Sequence, residues 1–478
     1  MELVDFLQQL LPAREKVPFF DTHLEALYNY IRERPGFLKR FALVLKARFG
    51  FSALIIWRLS FCSIQNLYWS QYYKARDFKF LIIFTFDSPS NYQSQLKVAE
   101  ELDRRGVEVL IITSRNLFKS KIKELRRLKN CSFIFIDQRI KSLSVLDFIK
   151  AKSRARAQLI KVLKLAPNKN LISYKDFIEL NLQKQNLLAI AYSKILSGLN
   201  IKAAIANNFQ GGLLAAIKEK KIKSISIQHG AISRTKLPGY LREEDELILW
   251  GEYWRDVYRD KVSSHTKTIV LGCPRFDDMV TWKSKDKESL FYKNLSIDPS
   301  KKTIVFFSSS HGGIFTFDFY RKIILSVVET KNNLQDRINL IIRLHQGRET
   351  PDFYKKTLGG SFNKLIFSPE RMPLYRILRH SDIAVSVSST ALLEAMVFGL
   401  ATIQFNPCQS LGIMEYPKEG GGILVRTQQD LERVIALLIS DENYRKTVVA
   451  RQNLYLQDKI VNLGNATQEV VNYLLKEV

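Results

Sequence analysis

Hydroxyl residues and histidines recur at the ends of apolar runs in this 478-residue chain. The densest group is Ser386-Val387-Ser388-Ser389-Thr390, which follows Asp382-Ile383-Ala384-Val385 and opens the periodic run Ala391-Leu392-Leu393-Glu394-Ala395-Met396-Val397-Phe398. A strand that stops in small hydroxyl residues and restarts as a helix gathers O–H and backbone N–H donors at one point. That suits an anion, above all a phosphate. Of the six histidines, His229, His311 and His345 each stand just after a strand-like run. Imidazole serves as a general base near neutral pH and, when protonated, as a phosphate ligand. Arg343 lies two residues before His345, Ser308, Ser309 and Ser310 precede His311, and Asp87 ends the first apolar run. Acid–base work next to a phosphate is the chemistry these residue types offer.

Such groups converge only if their strands end in a common crevice. Residues 78–86 predict a strand, 93–105 a helix stopped by Gly106, and 107–113 a second strand. Further strands are predicted at 132–136, 203–206, 224–227, 246–249 and 268–271, with helices at 180–196 and 212–220. The composition turns polar between Trp282 and Lys302, where a linker is expected. A second series follows, with strands at 303–307, 339–344, 364–367, 382–385, 401–405 and 423–425, and terminal helices from Gln428. Uninterrupted apolar strands alternating with helices indicate parallel sheets covered on both faces, whose ligands bind at the strands' carboxyl ends. The expected class is α/β, of the GT-B type: two doubly wound, Rossmann-like domains behind a helical N-terminal extension. The extension takes residues 1–76, basic and aromatic. An acceptor-side domain takes 77–282, and a nucleotide-donor domain with the C-terminal helices takes 283–478.

Composition narrows the partners. The net charge of +26 points to an anionic substrate or surface. Lysine and arginine concentrate at Lys119, Lys121, Lys123, Arg126, Arg127, Lys129, Lys150, Lys152, Arg154 and Arg156. With the basic-aromatic extension, this predicts a peripheral footprint on an anionic membrane. No signature of a nucleic-acid-binding fold is present, so no nucleic-acid partner is expected. Cys62, Cys131, Cys273 and Cys408 form no C-x-x-C pair, which argues against zinc and disulfides and fits a reducing cytosol. The first residues, Met1-Glu2-Leu3-Val4-Asp5, have no signal-peptide character. The absence of D-x-D and of G-x-x-x-x-G-K-[ST] strings leads to an expectation of no metal, no cofactor and no ATP hydrolysis.

Several strings carry a resemblance. Ile225-Ser226-Ile227-Gln228-His229-Gly230 resembles the Q-H-G motif of bacterial surface-polysaccharide transferases. That group comprises CDP-glycerol glycerophosphotransferases, polysialyltransferases and capsule Kdo transferases. Leu249-Trp250-Gly251 with Glu252-Tyr253-Trp254, and Gly272-Cys273-Pro274-Arg275-Phe276-Asp277, resemble two further segments of the group. Ile342-Arg343-Leu344-His345-Gln346 stands where the group has K-x-H-P, and Ser381-Asp382 through Ser388-Ser389-Thr390 where it has S-D…S-S. The similarity spans about residues 200–410; Gln346 replaces the proline, and residues 1–76 have no counterpart.

The resemblance implies a nucleotide-sugar donor and a glycan or lipid-linked acceptor at the inner face of the cell membrane. It implies that Ser388, Ser389 and Thr390 bind the donor phosphates beside Arg343 and His345, with Ser309 and Ser310 closing around them. Glu394 would meet a ribose hydroxyl or the base. His229 would deprotonate the acceptor, with Asp87, Glu243, Glu244 and Asp245 as rivals. Polyol-phosphate transfer, a UDP-sugar 2-epimerase-like reaction and a non-catalytic scaffold are the alternative functions.

Overall fold

The computed structural model describes residues 78–84, 89–120, 122–165, 175–209, 211–232, 241–281, 288–308, 317–334, 337–345, 351–369, 372–407, 414 and 416–478. The N-terminal extension, Asp87, Ser309, Ser310, His311 and Gln346 lie outside the described residues.

The first apolar series forms a seven-stranded sheet. Its strands are β1 (Phe80–Ile83), β2 (Val109–Thr113), β3 (Cys131–Phe135), β4 (Ala203–Ala206), β5 (Lys223–Ile227), β6 (Glu246–Leu249) and β7 (Lys267–Val270). They are parallel, in the order β3-β2-β1-β4-β5-β6-β7. Ile82 pairs with Ile111 on one side and Ile205 on the other, and all four β1 residues are buried. Helices cover both faces, so β1 and β4 are apolar throughout instead of alternating. The covering helices include α1 (Pro89–Arg104), with α2 (Val145–Leu165) packed on the outside of α3 (Lys175–Leu196), and α4 (Gly211–Glu219) beside α3.

The second series forms a six-stranded parallel sheet from β8 (Lys302–Phe307), β9 (Ile338–Arg343), β10 (Ile366–Phe367), β11 (Ile383–Ser386), β12 (Ala401–Phe405) and β13 (Ile423–Val425). Their order is β10-β9-β8-β11-β12-β13. In each sheet the first strand lies centrally and the order reverses beside it, between β1 and β4 and between β8 and β11. Such reversals open a crevice at the carboxyl ends of the strands.

The structure departs from the sequence reading in three places. The basic stretch after β3 carries the 21-residue helix α2. The polar linker contains a helix, α5 (Glu288–Leu295), because Phe291 and Leu295 bury themselves between the domains. The C-terminal helices do not all belong to the second domain. After the short helix α6 (Ala391–Val397) and the helices that follow β13, the last helix, α7 (Ala466–Glu477), returns to the first domain. There Val470, Val471 and Leu474 complete the core beneath Leu96, Ala99 and Leu102 of α1.

One apolar cluster runs continuously through the seam between the sheets. It includes Trp250, Trp254 and Phe276 from the first domain and Phe307, Leu393 and Met396 from the second. Burying side chains of this size contributes roughly 1.5–3 kcal/mol each. The chain crosses back at Asp458 to Val461, bonded to the first domain through Tyr253 N–H to Asp458 O (3.1 Å), Trp254 Nε1 to Lys459 O (2.8 Å) and Val461 N–H to Trp250 O (2.8 Å). Gly251 is what this crossing requires, because a Cβ there would run into the Asp458 and Lys459 backbone.

Candidate active site

β5 ends at Ile227, and the chain then turns through Gln228, His229 and Gly230. Gln228 is buried and holds the turn together. Its Oε1 accepts from the Trp250 N–H at 3.1 Å, its Nε2 donates to the Gly230 carbonyl at 3.1 Å, and its carbonyl accepts from the Trp250 indole at 2.9 Å. With Gln228 pointing inward, the alternation of extended chain presents His229 to the crevice, where its side chain is exposed. Asn207, at the carboxyl end of the neighbouring β4, places its amide nitrogen 3.4 Å from His229 Nδ1. The Asn207 carbonyl accepts from Arg242 Nη2 at 3.1 Å, and Arg242 Nε donates to Glu244 Oε1 at 2.7 Å. Asn207, Arg242 and Glu244 are all buried, so a fixed polar support stands behind an exposed imidazole.

The same contacts remove two of the rival bases. Glu244 is a buried partner of Arg242. The Asp245 carboxylate accepts from the Ser224 N–H at 2.8 Å and its hydroxyl at 2.6 Å, at the start of β5 and therefore at the far end of the sheet from His229.

Across the crevice, β11 ends at Ser386, whose hydroxyl donates to the Phe307 carbonyl at 2.9 Å and fixes β11 to β8. In the turn that follows, each hydroxyl accepts one backbone N–H. Ser388 Oγ accepts from Met414 at 3.4 Å, Ser389 Oγ from Ala391 at 3.2 Å, and Thr390 Oγ1 from Ala231 at 3.3 Å. A hydroxyl used in this way retains its own proton for donation, which is what a phosphate oxygen needs. The last of these bonds joins the halves, because Ala231 is two residues beyond His229. Gly230 also lies against the same Thr390 hydroxyl, which a Cβ would approach to 3.4 Å.

His345 and Arg343 stand at the end of β9. The His345 N–H donates to Ser308 Oγ at 2.8 Å, and its imidazole is exposed on the same carboxyl edge as the hydroxyl turn. Arg343 differs from the expectation. Its Nη1 donates to Pro369 O at 2.7 Å and to Ser368 Oγ at 3.3 Å, both just beyond β10. β10 and β11 lie on opposite sides of the β9–β8 pair, so the buried guanidinium is held away from the Ser388–Thr390 turn.

Glu394 also takes a place the sequence did not indicate. It is buried on α6, with Oε1 at 3.3 Å from Nη2 of the equally buried Arg275 in the other domain. Burial pushes its carboxyl above the ordinary range, and Arg275 opposes that shift. Arg275 stacks its guanidinium 5.2 Å from the Trp250 ring and 4.9 Å from Phe276. Its own carbonyl accepts from Tyr375 Oη at 2.9 Å. The Gly272–Asp277 segment is thus a joint between domains. Gly272, at φ +96°, packs against Val461 and Ala466, and Asp277 accepts the N–H groups of Gly464 (3.1 Å), Ala466 (3.0 Å) and Thr467 (2.7 Å) at the start of α7.

Sequence reasoning missed Asn207 and the role of Gln228. Asn207-Asn208 directly follows the apolar strand Ala203–Ala206, the same strand-end position that marks His229, although an amide lacks the acid–base chemistry of a histidine. Among the described residues, no group of three or more His, Cys, Asp or Glu gathers as a metal site would require. Nor, among them, is any helix long and apolar enough to cross a membrane.

One comparison with known protein families falls on this region. Residues 229–417, which begin at His229 and enclose the hydroxyl turn, match a family described as "putative O-antigen biosynthesis protein". The lipid-A-disaccharide synthase of Persephonella marina is 23% identical over 211 residues, covering 42% of this chain and 53% of that protein. The match therefore spans about half of that relative's length. The UDP-GlcNAc 2-epimerase of Neisseria meningitidis, solved with UDP-GlcNAc bound, superposes with a TM-score of 0.53 at 15% identity, over 83% of this chain and 99% of the other. The wall teichoic acid polymerase TagF superposes with a TM-score of 0.50 at 13% identity, over 93% and 98%. Two parallel Rossmann-like sheets facing one crevice, shared with these neighbours, give this chain the GT-B fold.

Proposed function

We propose that this chain is a metal-independent GT-B glycosyltransferase. It moves a sugar from a nucleotide-activated donor to a surface polysaccharide or a lipid-linked glycan. The observation that carries the reading is the bond from Ala231 N–H to Thr390 Oγ1 at 3.3 Å, because it brings the turn that carries His229 in one domain against a hydroxyl-lined turn in the other. In the reaction, His229 takes the proton of the acceptor hydroxyl. The acceptor oxygen attacks the anomeric carbon, and the bond to the nucleotide phosphate breaks. The Ser388, Ser389 and Thr390 hydroxyls donate to that phosphate as its negative charge develops. His345, on the same edge, is proposed to add positive charge to the clamp, with Ser309, Ser310 and Asp87 as further candidates. A ribose contact from Glu394 would have to form beside its pairing with Arg275. The activated donor puts the reaction on the cytosolic side, with the enzyme peripheral on the inner face of the cell membrane.

The neighbours favour two related readings: the epimerase was solved with UDP-GlcNAc, and TagF polymerises wall teichoic acid, so a polyol-phosphate transfer would use the same clamp. Thermal shift with CMP, CDP, UDP and GDP identifies the nucleotide, and no stabilisation by any of them would favour a scaffold. Nucleotide release from the matching donor should require an added acceptor, whereas an epimerase would need none. His229→Ala should abolish turnover and keep nucleotide binding; full turnover in that variant would refute His229 as the base.

A further inference from the structure

Helix α2 packs on the acceptor-side domain through Phe148, Ala151, Ala155 and Leu159, all buried. Its partner is α3, in a small core that includes Ile190 and Ala191. Two polar contacts fix the pairing: Lys194 Nζ with Asp147 Oδ2 at 2.5 Å, and Asn186 Nδ2 with Gln158 Oε1 at 2.7 Å. The core face of α2 is thus satisfied.

The opposite face is the unusual one. At 3.6 residues per turn, Leu146, Ile149 and Ile160 fall on a single stripe facing away from α3. They are exposed by 75%, 52% and 54%. Lys150, Arg154 and Lys161 flank the stripe and are exposed as well. A stabilising surface helix would carry polar groups there. Aliphatic side chains bordered by cations, on a helix already anchored by its other face, form the pattern of an interfacial helix.

We propose that this face of α2 docks the protein onto an anionic lipid surface, with Leu146, Ile149 and Ile160 entering the headgroup–acyl boundary and Lys150, Arg154 and Lys161 meeting lipid phosphates. Charge complementarity selects the occupant, since a protein partner or a second copy of this basic chain would have to accommodate the same cations. The proposal rests on the peripheral location given above and not on the catalytic assignments. It deepens that reading by naming the surface. The docked helix belongs to the domain that carries His229, so a lipid-linked acceptor would arrive on the side that deprotonates it.

Flotation of the full chain with phosphatidylglycerol–phosphatidylcholine vesicles tests this without any turnover. The expected result is binding that weakens with added salt and is absent on phosphatidylcholine alone. Leu146→Glu/Ile149→Glu/Ile160→Glu should lower the partition coefficient at least 100-fold. Lys150→Gln/Lys161→Gln should lower it on the order of 25-fold, at about fivefold per cation. Circular dichroism should be unchanged in both, since none of the five side chains is buried. Flotation of the triple variant equal to wild type would overturn the proposal, as would failure of the wild type to float. So would a self-association, seen by sedimentation velocity, that the triple variant loses, because the stripe would then join two copies of the chain. None of these outcomes touches the His229→Ala test.

Discussion

Replacing Arg275 by methionine removes the guanidinium that faces Glu394 and keeps most of the apolar volume against Trp250 and Phe276. The side chains of this pair are 4% and 10% exposed, so neither charge can turn to water. Taking one partner from a buried pair leaves an uncompensated charge and costs about 3–5 kcal/mol. Arg275→Met/Glu394→Met leaves no buried charge, and it should recover to within about 1–2 kcal/mol of wild type. The pH dependence has a definite sign. The Glu394 carboxyl, which starts from 4.5 in the unfolded chain, is already raised by burial, and losing Arg275 raises it further. A carboxyl whose folded pKa is raised contributes stability that is fully present below its unfolded value and is lost as pH rises through the folded one. The deficit of Arg275→Met should therefore be smaller at pH 5 than at pH 8. Urea unfolding followed by tryptophan fluorescence reads this directly, because Trp250 and Trp254 sit in the seam. A variant within about 1 kcal/mol of wild type at pH 8, or a double variant as unstable as the single one, would refute the reasoning.

Two further predictions test the joint and the support of His229. Asp277→Ala removes the acceptor of three N–H groups at the start of α7 and should cost about 1–2 kcal/mol. Hydrogen exchange in residues 466–477 should quicken ahead of the rest, and unchanged protection there would count against the cap. Asn207→Asp would set a carboxylate near His229 Nδ1, now 3.4 Å from the amide nitrogen, and should raise the imidazole pKa by about 1 unit. A raised histidine contributes stability that is fully present below about 6.5 and fades as pH rises through the folded value, so the variant gains on wild type as pH falls. A histidine NMR titration, with His229→Ala to assign the signal, reads the shift; an unmoved signal would remove Asn207 from the imidazole's support.

The strand series was legible because parallel strands buried on both faces are rich in apolar residues, as Phe80–Ile83 is throughout and Ile338–Arg343 is apart from Asn339 and Arg343. Residues at strand ends were legible for a related reason. The fold delivers His229 and Ser388–Thr390 to the crevice whatever their chemistry. Pairings between distant segments were not. Nothing in Glu394, a turn into a short helix, distinguishes a ligand contact from a partner 119 positions earlier at Arg275. The apolar spacing of Val470, Val471 and Leu474 predicts an amphipathic helix without saying which domain it will cover. Proximity in sequence to His345 suggests a shared role for Arg343, but the neighbour that decides its direction is the segment just beyond β10. Conversely, the strings resembling a transferase signature contain both chemistry and carpentry: His229 faces the crevice, while Gln228 holds its own turn, Arg275 pairs across the seam and Asp277 ties α7 to the first domain.

The return of α7 to the first domain also sets an order of events during synthesis. From Val270 at the end of β7 to Ala466 lie roughly 200 residues, on the order of 10–40 s of translation at 5–20 residues per second. Throughout that interval the strip of α1 at Leu96, Ala99 and Leu102 has no cover from Val470, Val471 and Leu474. The domain made first is therefore the domain finished last, and a ribosome that stalls late releases a chain with both sheets formed and an apolar strip still open to aggregation.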